Sequence, residues 1–209
     1  CDQKKIVLIF DECTSGFRET FGGLHLKYKV NPDICMFGKA LGNGFPITCI
    51  IGKKKIMSKA NRSFISSTFW SDRSGPASAL ETLKFMEKNR TWKKITKFGL
   101  NLKSRWKKLG YKHNLPIKIF GINSIPSFQI ISQNSLKYKT FITQEMLKKK
   151  ILSSNTVFVS IAHNSRIMKK YISELDKIFF KIKRCEKKEL NIDDLLEGPV
   201  SETTFKRLN

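Results

Sequence analysis

Two chemically active side chains follow short apolar segments in the first part of the sequence. Asp11 comes directly after Ile6–Phe10, and Lys39 comes two residues after Ile34–Phe37. Continuous apolar runs of this length predict strands that are buried on both faces, as in a parallel sheet. In α/β proteins the ligand lies beyond the carboxyl ends of such strands. We therefore predict that Asp11 and Lys39 face one pocket.

An amine and a carboxylate in one dry pocket could act on carbonyl compounds and nitrogen heterocycles. Burial disfavours the charged form of a lysine, and a neutral amine attacks a carbonyl carbon to form a Schiff base. A buried carboxylate holds a pyridine nitrogen in its protonated form, which makes the ring a stronger electron sink. Gly38, Gly42 and Gly44 surround Lys39 and would let the backbone approach a flat ligand. The plainer alternatives, a solvated lysine and an Asp–Glu surface turn, stay open at this point.

The elements around these residues indicate the end of an α/β domain. Ile47–Ile51 predicts a third strand, Lys54–Ala60 a short helix, and Pro76 the start of a longer helix with apolar residues at helical spacing. Residues 1–95 are therefore predicted to form the carboxyl-terminal part of a large domain built on a mixed or parallel sheet. Because the chain opens almost within a strand, on Cys1, we expect it to be the carboxyl-terminal part of a longer protein.

Shorter, alternating units after Gly110 predict a second, smaller α+β domain over residues 96–209. The helix Trp92–Leu109 is predicted to join the two domains. The last part of the chain, 193–209, has the pattern of a tail that passes from ordered to loose. The other predicted helices are Phe141–Lys150 and Arg166–Arg184, and the predicted strands are Ile117–Phe120, Phe128–Ser132 and Val157–Ile161.

Composition limits the functional classes. The chain has 209 residues, and its 40% hydrophobic content excludes disorder as the main state. Its formal net charge of +23 raises the question of whether it binds nucleic acid. Its lysines are spread along the chain at helical spacing, without an Arg-rich tail or zinc-finger spacing, so a nucleic-acid-binding module is kept only as a remote alternative. No apolar stretch has the length of a membrane span, and neither a signal peptide nor a membrane partner is expected.

The cysteines and histidines predict no redox or metal chemistry. The chain has five widely spaced cysteines and no C-x-x-C pair, which is typical of reduced thiols in a cytoplasmic protein. The histidines, His25, His113 and His163, lack metal-ligand spacing and are predicted to be surface or packing residues.

A set of ordered motifs carries a family resemblance. Ile9–Glu12, Gly16–Arg18, Asn31–Asp33 and Gly38–Pro46 resemble motifs of the class III aminotransferases, which use pyridoxal phosphate. Within that family the sequence is most similar to the glutamate-1-semialdehyde aminomutases and their relatives, most strongly over Ile6–Leu83. This resemblance implies the fold-type I pyridoxal-phosphate-dependent transferase fold and an enzymatic activity.

The resemblance also implies roles for individual residues. Lys39 would form the Schiff base with pyridoxal 5'-phosphate and then carry a proton, and Asp11 would pair with the pyridinium nitrogen. Cys13 would pack on the face of the ring. Thr68 would reach the cofactor phosphate of the neighbouring subunit, which implies a homodimer with shared active sites. The substrates would be a small-molecule amine, of amino-acid, amino-aldehyde or amino-sugar type, and a keto or aldehyde compound.

Two departures from the family pattern keep alternatives open. The amino-terminal half, with the helix end that cradles the phosphate, lies outside the resemblance. The glutamate that an aminomutase would carry before Val157 has no counterpart in Ser153–Thr156. The expectations are therefore an aminotransferase or an aminomutase, glutamate-1-semialdehyde aminomutase included, or a fragment with no activity of its own.

Overall fold

The computed structural model describes residues 1–66, 68–69 and 71–202. The chain divides into two compact units, Cys1–Thr96 and a second unit that begins at Lys97. No helix within the described ranges is long and apolar enough to cross a membrane. The assignment of residues 1–95 and 96–209 to the two domains of an aminotransferase stays a prediction.

A three-stranded mixed sheet organises the first unit. Strands β1 (Ile9–Asp11), β2 (Ile34–Phe37) and β3 (Cys49–Gly52) lie in the order β1-β2-β3. β1 runs parallel to β2, with Asp11 opposite Met36, whereas β3 runs antiparallel to β2. The parallel pair places the carboxyl ends of β1 and β2 at one edge of the sheet, where ligand chemistry is expected.

Short helices and one longer helix complete the first unit. They are α1 (His25–Tyr28), α2 (Lys54–Met57) and α3 (Ser74–Asn89), with 3-10 turns at Asp2–Lys4 and Ser58–Arg62. Pro76 lies in the first turn of α3, where a missing N–H costs no intrahelical bond. Ala79 of α3 packs in a small core that also contains the buried residues Cys35, Phe37 and Leu41.

The second unit packs helices on a two-stranded antiparallel sheet. Trp106 and Tyr171 are buried at its centre, and Trp106 Nε1 donates a hydrogen bond to Tyr171 Oη at 3.1 Å. The last long helix buries one face, because its apolar residues recur every three or four positions. The elements are α4 (Thr91–Lys112), whose first turns belong to the first unit, β4 (Ile117–Phe120), β5 (Ser127–Ile130), α5 (Ser135–Lys148), α6 (Ser165–Glu186) and α7 (Ile192–Leu195).

The strand predicted at Val157–Ile161 is wrong. The chain makes one isolated β-bridge at Thr156, after which Val157 N–H donates to the carbonyl of Pro126 at 3.0 Å. Pro126 has no N–H with which to return a hydrogen bond, so the ladder cannot continue as paired strands. The apolar pattern of this segment reflects burial, since Val159 is buried in the unit.

The first predicted strand is shorter and more exposed than its apolar sequence suggests. β1 contains only Ile9–Asp11 of the region around Ile6–Phe10, Ile9 is 53% exposed, and β1 is an outer strand of the described sheet. The prediction that this strand is buried on both faces is therefore wrong for the described chain. One further correction concerns a helix: α5 begins at Ser135 rather than at Phe141. The helix α7 overlaps the first residues of the tail that was predicted to pass from ordered to loose.

Candidate active site

The structure brings Asp11 and Lys39 to the same edge of the mixed sheet. Asp11 ends β1 opposite Met36 of β2, and Lys39 follows Met36 by three residues. Lys39 Nζ donates a hydrogen bond to Oγ1 of Thr14, which lies in the loop directly after Asp11. Contacts within the described chain include no ion pair between Asp11 and Lys39; Asp11 Oδ1 instead accepts from the backbone N–H of Cys13 at 2.9 Å.

Cys13 packs against the backbone that precedes Lys39. A Cβ atom added at Gly38 would lie 2.9 Å from Cys13 Sγ, closer than side chains normally approach. A side chain at position 38 would therefore force the Cys13 side chain or the backbone to shift. Together with the contact between Thr14 and Lys39, this packing joins the ends of β1 and β2 into one structure.

The turn that carries Lys39 has an unusual backbone. Lys39 has a φ of +41° and Asn43 a φ of +46°, both in the left-handed region that few non-glycine residues adopt. Leu41 N–H donates to Gly38 O at 2.9 Å, and Asn43 N–H donates to Lys39 O at 3.0 Å. Such conformations persist where their surroundings fix them, and they concentrate at functional sites. Lys29 and Arg90 adopt the same conformation at the ends of helices, so at Lys39 it shows a tight turn and is not by itself evidence of a functional site.

Glu12 holds the loop after β1 in place. Its side chain is buried, and its carboxylate accepts four hydrogen bonds. The donors are Ser15 Oγ at 2.6 Å, Leu24 N–H at 2.8 Å, His25 N–H at 2.8 Å and His25 Nδ1 at 3.1 Å. Because these donors lie at both ends of the loop, Glu12 fixes the path of the chain that follows Asp11.

The charges in this loop follow from burial and hydrogen bonding. Burial alone would raise the pKa of the Glu12 carboxyl, but the hydrogen bonds from Ser15, Leu24 and His25 outweigh it and lower the pKa below its ordinary value. Cys35 Sγ lies 3.4 Å from His25 Nδ1. Burial, and next the charge of Glu12, raise the pKa of the Cys35 thiol, so this thiol is a packing group and not an activated nucleophile.

The described residues do not form the dry pocket that we expect around the amine. Asp11 and Lys39 are both exposed in this chain, and Cys13 is half-buried. Thr68 is exposed in a turn that precedes α3, and it makes no hydrogen bond to these three residues within the described chain. The structure therefore brings three of the predicted site residues together, and the role of Thr68 in a neighbouring subunit stays a prediction.

The more spacious of the two cavities described here does not coincide with the predicted site residues. A cavity of about 860 Å³ lies in the second unit among apolar residues such as Phe98, Leu147 and Ile167, and none of the predicted site residues lines it. A smaller cavity of about 290 Å³ is lined by Asp11 and Tyr28 in the first unit. No cluster that could hold a metal ion occurs among the described residues. We place the candidate site at the sheet edge, because the residues that can do chemistry lie there.

Sequence reasoning missed Thr14. A hydroxyl between Asp11 and Gly16 has no distinguishing spacing, and its contact with Lys39 depends on how the loop folds back. Glu12, the last residue of the Ile9–Glu12 motif, lies at the centre of the loop's hydrogen bonds.

Comparison with solved structures shows the fold. The FumI protein of Sphingopyxis sp. MTA144, solved in its PLP internal aldimine form, matches with a TM-score of 0.81 over 94% of this chain and 48% of that chain, at 22% identity. The ornithine aminotransferase of Toxoplasma gondii matches with a TM-score of 0.77 over 90% of this chain and 46% of that chain, at 20% identity. The predicted fold class, the fold-type I transferase fold, is confirmed.

The chain belongs to the class-III aminotransferase family, whose sequence model matches residues 1–179. It is 29% identical over 174 residues to 3-aminobutyryl-CoA aminotransferase of Cloacimonas acidaminovorans, and this match covers 83% of this chain and 41% of the relative. It is 31% identical over 198 residues to glutamate-1-semialdehyde 2,1-aminomutase of Methanococcus maripaludis, and this match covers 84% of this chain and 45% of the relative. The predicted family is confirmed, and the chain spans less than half the length of these relatives.

Proposed function

We propose that this chain carries the cofactor-binding lysine of a pyridoxal-phosphate-dependent aminotransferase or aminomutase. The observation that supports the proposal most directly is the parallel pairing of β1 with β2, which sets Asp11 and Lys39 at one sheet edge. Family membership over residues 1–179 supports the same conclusion. The activity, substrates and partners of the whole protein are part of the proposal, because the relatives are about twice as long as the matched region.

The residues at the sheet edge fit pyridoxal 5'-phosphate. Lys39 offers an amine for the aldehyde and Asp11 offers a carboxylate for the ring nitrogen, and within the described chain neither group is neutralised by the other. Between them, Cys13 packs on a backbone that has no room for a side chain at Gly38. A wall made of a small thiol and bare backbone suits the face of a planar ring.

Each of these residues has a definite task in the proposed reaction. Pyridoxal phosphate, when bound, supplies an aldehyde that bonds to amines and a ring that takes up the electrons of a broken C–H bond. Asp11 would keep the ring nitrogen protonated, because a nearby negative charge favours the charged form. Lys39 would hold the cofactor through Nζ, and the free Nζ would serve as the base that takes a proton from one carbon atom and returns it to another. Cys13 would pack on the ring, and Thr68 would bind the phosphate in a neighbouring subunit.

The proposed substrates are a small-molecule amine, of amino-acid, amino-aldehyde or amino-sugar type, and a keto or aldehyde compound. An aminotransferase passes the amino group to a second compound, whereas an aminomutase returns it to the same carbon skeleton. The curated relatives include both kinds of enzyme. Assays of the whole protein with and without an amino acceptor separate them, because only an aminotransferase needs the acceptor for repeated turnover.

The proposed assembly is a cytoplasmic homodimer with shared active sites. All five cysteines are free, which suits a reducing compartment. Sedimentation of the whole protein tests the dimer, and a monomer would contradict the role given to Thr68. We propose neither a nucleic-acid nor a membrane partner; retardation of a short DNA duplex that weakens steeply with salt would overturn the first of these statements.

Borohydride reduction tests the role of Lys39. The whole protein is incubated with excess pyridoxal phosphate, reduced, digested and mapped by mass spectrometry. Lys29 is the reference amine, because it is exposed in the same unit and has no ion pair among the described residues. We expect label at Lys39 in clear excess over Lys29, and less excess in Asp11→Asn. Equal labelling of the two lysines in the whole wild-type protein would refute the proposal.

Residues 1–209 on their own are expected to bind the cofactor weakly and to show no turnover. Asp11 and Lys39 are exposed, so water competes with the cofactor for both side chains. Steady production of keto or aldehyde product by the purified chain would contradict this expectation. Selective labelling of Lys39 without turnover would support both the proposed site and the inactivity of the chain alone.

A further inference from the structure

Thr14 has no part in the mechanism described so far, yet it is the partner of the reactive amine. Its Oγ1 accepts a hydrogen bond from Lys39 Nζ across 25 positions of the sequence. Within the described chain Lys39 makes no other side-chain hydrogen bond and no ion pair. The place of the amine at the sheet edge is therefore set by this one contact.

The turn that carries Thr14 is held by several hydrogen bonds. Gly16 N–H donates to Glu12 O at 2.8 Å, and Ser15 Oγ donates to the Glu12 carboxylate at 2.6 Å. Arg18 Nε donates to the carbonyl of Thr14 itself at 2.8 Å. A β-branched side chain also has few χ1 rotamers. The hydroxyl is thus presented from a fixed backbone in a restricted set of directions.

A fixed hydroxyl matters because lysine is otherwise a flexible side chain. Ordering a free lysine costs conformational entropy, and a partner that orders it beforehand removes part of this cost from the later binding step. Asp11 does not have this task, since its Oδ1 accepts from Cys13 N–H and it forms no ion pair with Lys39 in the described chain. The contact with Thr14 holds the amine and leaves the carboxylate for the ligand.

We propose that Thr14 is a positioning residue for Lys39, an inference that rests on the proposed function. Its hydroxyl holds Nζ beside the sheet edge before the cofactor arrives. A hydroxyl can accept a hydrogen bond from an ammonium group and donate one to a neutral amine, so the contact persists in either protonation state of Lys39. A carboxylate at this position would accept only, and it would compete with Asp11 for the charged amine.

Three variants of the 209-residue chain test the inference. Thr14→Val keeps the shape and removes the hydroxyl, and Thr14→Ser keeps the hydroxyl. Thr20→Val is the matched control, because Thr20 lies in the same loop but donates to Gly23 O at 2.7 Å and does not touch Lys39. Two reactions are compared in each variant: trace acetylation with acetic anhydride, and borohydride reduction after incubation with pyridoxal phosphate. Both are expressed as the ratio of label at Lys39 to label at Lys29.

The two readouts should shift in opposite directions in Thr14→Val. Acetylation of Lys39 should rise about two- to tenfold, the range expected for one exposed hydrogen bond, because the amine is no longer engaged. Trapping of pyridoxal phosphate should fall by a similar factor, because the amine is no longer ordered for it. Thr14→Ser should stay close to the wild type. Loss of structure alone would instead expose Lys39 to both reagents.

Unchanged ratios in Thr14→Val, or equal changes in Thr20→Val, would overturn the inference about Thr14. A whole protein without selective cofactor label at Lys39 would overturn the proposed function. In that case the acetylation ratios still decide whether Thr14 holds Lys39, because acetylation requires no cofactor.

Discussion

Replacing Glu12 by glutamine tests whether one charged carboxylate holds the loop after β1. In the wild-type chain one oxygen accepts from the backbone N–H and the ring of His25, and the other accepts from Leu24 N–H and the Ser15 hydroxyl. Glutamine has the same shape but offers one oxygen and one NH2 group. Whichever way the amide turns, its NH2 group faces a backbone N–H of Leu24 or His25 that cannot reverse to accept.

The cost of this substitution follows from the number of donors and their burial. One orphaned buried N–H costs about 1–3 kcal/mol, and the remaining hydrogen bonds weaken because they lose their charge assistance. Water cannot replace the lost partner easily, since Glu12 is only 2% exposed. We therefore expect Glu12→Gln to lower the free energy of unfolding of the first unit by about 2–4 kcal/mol.

Amide hydrogen exchange and urea denaturation measure the effect locally and globally. The amides of Leu24 and His25 should exchange about 30-fold faster or more in Glu12→Gln. Glu87→Gln is the control, because Glu87 is exposed on α3, and its cost should stay within about 0.5 kcal/mol. The reasoning is refuted if Glu12→Gln leaves the exchange rates of these two amides unchanged.

Acid should act on the same carboxylate. The hydrogen bonds around Glu12 lower its pKa despite the opposing effect of burial. A carboxyl whose folded pKa lies below its unfolded value stabilises the fold above the unfolded value, and this contribution is lost as the pH falls through the folded value. The wild-type first unit should lose stability from about pH 4.5 downward, and Glu12→Gln should show a shallower decline, because an amide does not titrate. Equal declines would show that another group is responsible.

Two further substitutions, one in each unit, probe a close contact and a buried hydrogen bond. Gly38→Ala places a Cβ atom 2.9 Å from Cys13 Sγ and should cost about 1–3 kcal/mol, part of which Cys13→Ala should restore; thermal melts of the two single variants and the double variant measure this coupling. Tyr171→Phe removes the acceptor of the buried Trp106 N–H and should cost about 1–3 kcal/mol, whereas Tyr111→Phe at a 91% exposed position should cost under about 0.5 kcal/mol. Urea midpoints compare these two tyrosine variants, and equal midpoints would contradict the importance of the hydrogen bond.

Residue type and apolar patterning were sufficient to predict that Asp11 and Lys39 lie at the same end of the sheet. Each residue follows a short apolar run, and strands that pair in parallel bring their carboxyl ends to one edge. The contact between Thr14 and Lys39 could not be predicted in this way. It depends on a loop whose return is set by the buried carboxylate of Glu12, and no spacing in the sequence encodes the direction of a hydroxyl.

Long periodic elements were predicted more accurately than short apolar ones. α6 extends over Ser165–Glu186, close to the predicted Arg166–Arg184, because many turns of a helix repeat the same pattern. Val157–Ile161 has an apolar run of strand length, but its neighbour Pro126 cannot complete a ladder. A short run records that a segment is buried, and it does not record which backbone groups are available to pair with it.

The contacts at the sheet edge depend on one another in a fixed order. Glu12 fixes the loop, the loop presents Thr14, and Thr14 holds Lys39. Loss of the Glu12 carboxylate should therefore free Lys39 as well, so its acetylation in Glu12→Gln should rise toward the level of Thr14→Val. Thr14→Val should leave the amide of Leu24 protected, because the hydrogen bonds of Glu12 do not involve the Thr14 hydroxyl. If instead both variants expose both positions equally, the loop and the lysine unfold as one unit, and Thr14 has no separate positioning role.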